Sequence, residues 1–258
     1  PMFAAPLTAQ AEIVSNYTNG VTYGAYIVGM PDLDQHRDTP VWNDEPAENR
    51  DYGRMYCVPT SGANVLSYLA QEGYSGVSAP TLDLEPIDTD GLAGGALFTA
   101  NVQNLHRLRV ADQLIEDTAV AMDTHASDGT GGSDLRDGMR EMLSDDYSVN
   151  WYGNKECLDR SDTTINPRRI FDELDAGHLV IMRMGYYTTY PDAPEANRTG
   201  GHWVVVNGVS RAGNVRRIWY RDPARDNLSS IADDKLTQSE FVTDMSFVER
   251  TTVLTEDC

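Results

Sequence analysis

Apolar positions recur along this chain in two rhythms, and the change from one to the other falls near its middle. The first rhythm is helical. Val58, Val65, Leu66, Leu69 and Ala70 return at close to helical spacing, Pro59 suits a first turn and "EGYSG" supplies a stop, so residues 58–72 predict a helix. Residues 96–122 are compatible with one or two further helices. A Gly/Asp-rich loop then runs into a helix with Leu135, Met139, Met142 and Leu143 as its apolar face and Ser133 or Asp134 as its N-cap. "NPRRIFDELDAG" (166–177) opens on a proline and closes on a glycine, as a short helix does.

The second rhythm belongs to strands. "VNWYG" (149–153), "HLVIMRMGYYT" (178–188), "GGHWVVVNGV" (200–209) and "VRRIWYRDPA" (215–224) are short apolar runs, and the last two predict an antiparallel hairpin through "SRAGN". Ahead of the first helix, residues 1–50 read as irregular except for one strand over 21–30, followed by a polar, Pro-rich loop. A helical N-terminal half packed on a strand-rich C-terminal half makes the class α+β. The expected division is an extension over 1–45, carrying a signal or propeptide remnant and that one strand, and a single domain over 46–258.

Composition narrows the function. The chain has 258 residues, and its 40 acidic against 20 basic residues give a net charge of −20. Lys155 and Lys235 are its two lysines. A surface this acidic repels phosphate backbones, so no nucleic-acid partner is expected. No apolar run reaches the roughly 18–20 residues of a membrane span. The opening "PMFAAPLTAQAE" has the small, apolar character of the end of a cleaved secretory signal, which makes a secreted or cell-surface protein the expectation. "DTDG" (88–91) and "DGTGGSDLRDG" (128–138) are rich in oxygen ligands but lack the spacing of a calcium loop, and no paired Cys/His spacing suggests zinc. They read as turns, and no metal or cofactor is expected.

The cysteines are Cys57, Cys157 and Cys258. An odd count in an exported chain suggests one pair and one free thiol. Cys157 and Cys258 are the candidate disulfide, leaving Cys57 free. Cys57 stands where "YCVPTSGANVLSYLA" passes from loop into helix. A thiol there lies among unpaired N–H groups at the positive end of the helix dipole, a place that favours thiolate. By itself this equally describes a small core residue. A base is therefore required. His202 follows Gly200-Gly201 and opens an apolar run, with room beside its imidazole. Asp222 ends the next strand, and antiparallel pairing through "SRAGN" returns it to the start of the strand that carries His202. The separation of Cys57 and His202 lies in the window of about 130–150 residues of papain-type enzymes, without the papain signature around the cysteine.

Four blocks in order, "YCVPTSGANVLSYLA" (56–70), "MDTHASDGTGGSDLRDGMREML" (122–143), "RRIFDELDAGHLVIM" (168–182) and "GGHWVVVNGVSRAGNVRRIWYRDPA" (200–224), resemble the papain-like cysteine peptidases of the bacteriocin-processing, double-glycine-peptidase-like type. The resemblance implies a papain-like fold, a protein or peptide substrate, Cys57 as nucleophile, His202 as base and Asp222 as the acid orienting it. A related amidase or transglutaminase, and a non-catalytic domain keeping the fold, are the alternatives. The family pattern also has a glutamine shortly before the cysteine, whose amide completes an oxyanion hole. Here that place is taken by Asp51, and no glutamine falls between Gln35 and Cys57. Asp51, Asn49 and Tyr52 are the oxyanion-hole candidates, with Arg54 a further donor.

Overall fold

A computed structural model describes residues 13–20, 22–31, 33, 35, 55–81, 102–125, 129–153, 167–187, 198–213, 215–224, 237–239 and 246–256. Within them the chain order is β1 (Ile13–Asn19), β2 (Thr22–Ile27), α1 (Cys57–Gln71), α2 (Val102–Ala121), α3 (Gly132–Met142), β3 (Tyr147–Gly153), α4 (Pro167–Asp175), β4 (Leu179–Tyr187), β5 (Arg198–Ala212), β6 (Val215–Arg221), β7 (Thr237–Ser239) and β8 (Ser246–Glu256). Helices combined with one antiparallel sheet make the protein α+β, as the two rhythms indicate.

The sheet runs β1-β2-β5-β4-β8-β3, with β6 on β5 and β7 on β6. β5 is its axis. Residues 198–205 pair with β4, and residues 208–212 are flanked by β2 and β6. Trp203, Val204, Val205 and Val206 are all buried. Successive strand residues face opposite ways, so this run is covered on both faces, which is why it is uniformly apolar rather than alternating.

α1 is buried on every side from Val58 to Leu69. It packs against β5 in front and against α2 and α3 behind. Small residues permit the close approach: a Cβ on Gly62 would lie 2.7 Å from the Met122 Cε.

Several elements differ from expectation. Ile13–Asn19, read as irregular, is strand β1 at the sheet edge. All of it beyond Ile13 is exposed, so no apolar alternation marks it in sequence. β1 and β2 join the same sheet as the C-terminal strands, so this sheet is not confined to the C-terminal half. The N-cap of α3 is Gly131, not Ser133 or Asp134. Asp134 instead accepts the Gly131 N–H through Oδ2 at 3.1 Å, working from inside the first turn. β7 and β8 were not foreseen, and β8 lies between β4 and β3. Residues 96–101 of the second predicted helical segment lie outside the described residues. No described helix is long and apolar enough to cross a membrane.

Candidate active site

Cys57 is the first residue of α1, a free and partly exposed thiol. Tyr56 occupies the N-cap without a capping side-chain hydrogen bond, and no acidic residue stands in the first turn. The positive end of the helix therefore meets the sulfur without a competing carboxylate from its own first turn. Tyr56 is itself anchored, its hydroxyl donating to Glu116 of α2.

His202 enters from β5, buried to 8% exposure, and its Nε2 lies 2.6 Å from Asp222 Oδ1. The same carboxylate oxygen accepts the Ala224 N–H at 3.0 Å, a turn that fixes the aspartate just past the end of β6. How Asp222 reaches His202 is a matter of register. Gly208 pairs with Trp219, but Val206 pairs with Tyr220 and Val205 with Arg221, so Asn207 is an extra residue in β5. The next pair sets Asp222 beside Val204, and Val204 and His202 point to one face. Paired in turn, Asn207 would lie opposite Tyr220 and set Asp222 beside Val205, its side chain on the face away from His202. The bulge is held by the Asn207 amide, which donates to the Ile27 carbonyl of β2.

Nε2 is taken by Asp222, which leaves Nδ1 for another partner, and Cys57 stands close enough to act on the ring. Burial alone would lower the His202 pKa. Hydrogen bonds to Asp222 and Cys57, together with the charges of both partners, overcome it and push the value up from 6.5 to about 9. At neutral pH the imidazole is an imidazolium between a carboxylate and a sulfur. Such an arrangement can attack an electrophilic carbon through sulfur and hand a proton to a leaving group.

The structure thus pairs His202 with Asp222 and sets Cys57 near enough to help raise the pKa of the imidazole. Asn49, Asp51 and Tyr52 lie outside the described residues, as do Cys157 and Cys258. Sequence reasoning passed over Gln35. It is 3% exposed, and its N–H donates at 2.9 Å to the carbonyl of Pro223, the residue after Asp222. Two residues earlier the Leu33 N–H donates to Asn64 Oδ1 of α1. Leu33 and Gln35 therefore link the helix of Cys57 and the turn of Asp222, and Gln35 brings a carboxamide.

Of the other histidines, His125 pairs loosely with Asp123 at the surface, and His178 Nδ1 lies 2.7 Å from Glu173. No group of three or more metal-ligating side chains occurs among the described residues.

No curated protein matches the chain significantly. The family model described as the Peptidase_C39-like family matches residues 36–243, a span holding Cys57, His202 and Asp222. The membership suggests cysteine peptidase activity on a protein or peptide substrate, and with a match over most of its length this chain belongs to the Peptidase_C39-like family.

Proposed function

We propose that the chain is a cysteine peptidase of papain-like architecture, with Cys57 as nucleophile, His202 as its acid–base partner and Asp222 as the group orienting the imidazole. The observation that carries this reading is His202 held between Asp222 at 2.6 Å and Cys57. The Cys57 thiolate adds to the substrate carbonyl carbon, and the carbonyl π pair moves to oxygen. The backbone N–H of Cys57 faces that oxygen as one donor. Collapse of the intermediate breaks the C–N bond as imidazolium passes its proton to the departing amine, leaving a thioester. His202, now neutral, takes a proton from water, hydroxide adds to the thioester, and the carboxylic acid leaves with thiolate and imidazolium restored.

The Gln35 carboxamide is assigned here as the second oxyanion donor, in place of the sequence candidates Asn49, Asp51 and Tyr52. Its burial beside the Asp222 turn supports this, and an amide suits the task where an ionised Asp51 would repel the oxyanion. Gln35→Ala then lowers kcat by roughly 10²–10³, the usual cost of one oxyanion-hole donor. An unchanged kcat returns the role to residues 49–52.

The direct test is hydrolysis of casein or a mixed peptide library by the wild type and by Cys57→Ala. The wild type cleaves, and the variant loses on the order of 10⁴-fold or more. Equal rates in both sink the mechanism. Absence of cleavage by the wild type, with Cys57 also unreactive toward alkylation in acid, favours a binding domain that keeps the fold.

A further inference from the structure

Peptide cleavage by the pair described above requires that a helix and a strand hold a sulfur and an imidazole at one separation. α1 and β5 are far apart in sequence, and neither Cys57 nor His202 sits at a point where the chain itself links them. Ser61 lies four positions after Cys57, so the two share a face of α1, separated by a rise of about 6 Å. Its hydroxyl donates at 3.2 Å to the carbonyl of Trp203, the residue after His202. Ser61 is fully buried and Trp203 nearly so, so the bond is shielded from water.

Its neighbours behave differently. Thr60 and Ser67, equally buried on the same helix, have hydroxyls without a hydrogen-bond partner among the described residues. Behind α1 the Gly62 position is pressed by Met122, Thr118 and Met139, which leaves the helix no room to retreat from the sheet. The helix is thus wedged from the rear and hooked at the front, one turn from the sulfur and one peptide from the imidazole.

We propose that Ser61 is a positioning residue, whose hydroxyl sets the separation of the Cys57 sulfur and the His202 ring by holding the Trp203 carbonyl. The inference rests on the reading of Cys57 and His202 as the reacting pair. It acts through geometry alone: no proton or bond passes through Ser61. Loosening this contact lets the sulfur drift by a fraction of an ångström to an ångström, and displacements of that size cost up to about a hundredfold in rate.

The test compares Ser61→Ala with the isosteric pair Ser61→Thr and Ser61→Val, and uses Thr60→Val as the control for loss of a buried hydroxyl that bridges no elements. Two readouts are followed: the pH profile of iodoacetamide alkylation, read by mass spectrometry on the peptide containing Cys57, and kcat and KM for peptide hydrolysis. Ser61→Ala and Ser61→Val change the pH profile of Cys57 alkylation, and lower kcat by about tenfold to a hundredfold with KM little changed. Ser61→Thr and Thr60→Val keep the wild-type profile. A folded Ser61→Ala with the wild-type profile, or Thr and Val variants that behave alike, overturns the proposal. Should Ser61→Ala not fold, the isosteric pair decides. A wild type that cleaves no peptide overturns the peptidase reading alone, because the alkylation profile still reports on Ser61.

Discussion

Two histidine–carboxylate pairs of nearly equal length sit in this fold, and they are built for different ends. His202 and Asp222 are 2.6 Å apart, and His178 and Glu173 are 2.7 Å apart. Distance does not separate them; their other neighbours do. The His202 ring also feels Cys57, at the uncapped end of α1, which helps to raise its pKa. Glu173, by contrast, is shared: its other oxygen takes Arg169 at 2.7 Å, one helical turn earlier on α4. His178 is also tied through its own backbone N–H to the Glu173 carbonyl, closing the end of the helix. One pair stands beside a thiol, and the other ends a helix and begins a strand. A short hydrogen bond between imidazole and carboxylate is thus no mark of catalysis unless the far nitrogen has a reacting partner.

The comparison is broken most forcefully by deleting each acid. Asp222→Ala lowers kcat/KM for peptide hydrolysis by roughly 10²–10⁴, the range for a member of a triad-like unit. Glu173→Gln leaves kcat/KM at the wild-type value. A comparable loss in both variants would make the distinction between the pairs wrong.

A smaller effect appears in stability against pH. Folding raises the His202 pKa from its ordinary 6.5 to about 9. A raised value stabilises in full below 6.5, and that contribution is lost as pH rises through about 9. The wild type therefore loses stability across that window, on the order of 3 kcal/mol. Urea midpoints measured at both ends show the slope in the wild type and a flatter one in His202→Gln. Equal slopes would mean that the folded protein holds no extra proton on His202.

Smallest is the structural cost of the second pair. Glu173→Gln deprives Arg169 and His178 of a shared anion at a largely buried carboxylate, and lowers the unfolding free energy by about 1–2 kcal/mol. Thermal unfolding at neutral pH measures it. A variant as stable as the wild type would reduce this pair to a surface contact.

Much of this was legible in the amino-acid sequence where the signal is local. Cys57 at a loop–helix junction, a histidine after two glycines and an aspartate before a proline each mark their own position, and α1, α4 and β4 to β6 follow their periodicities closely. The remainder was hidden for physical reasons. β1 is an exposed edge strand and carries no buried alternation to betray it. Gln35 reaches the turn of Asp222 from far away in the sequence, a contact that no local pattern announces. Asn207 lies in "WVVVNGV", which is apolar on both sides, and nothing in that run says that one residue of it goes unpaired.

That unpaired residue imposes a rule of parity on the paired positions between His202 and Asp222. With the pairs from Gly208 to Ala212 kept, one residue gained or lost elsewhere in the paired stretches turns one of the two side chains to the other face of the sheet. Changes by two, or a gain in one strand matched by a loss in the other, leave them facing. Removing Asn207 itself closes the bulge and keeps Val204 opposite Asp222, and a change of length in the turn beyond Ala212 moves no pair at all. The hairpin can thus lengthen at its tip freely, whereas an odd step within its ladder disarms the site without unfolding the protein.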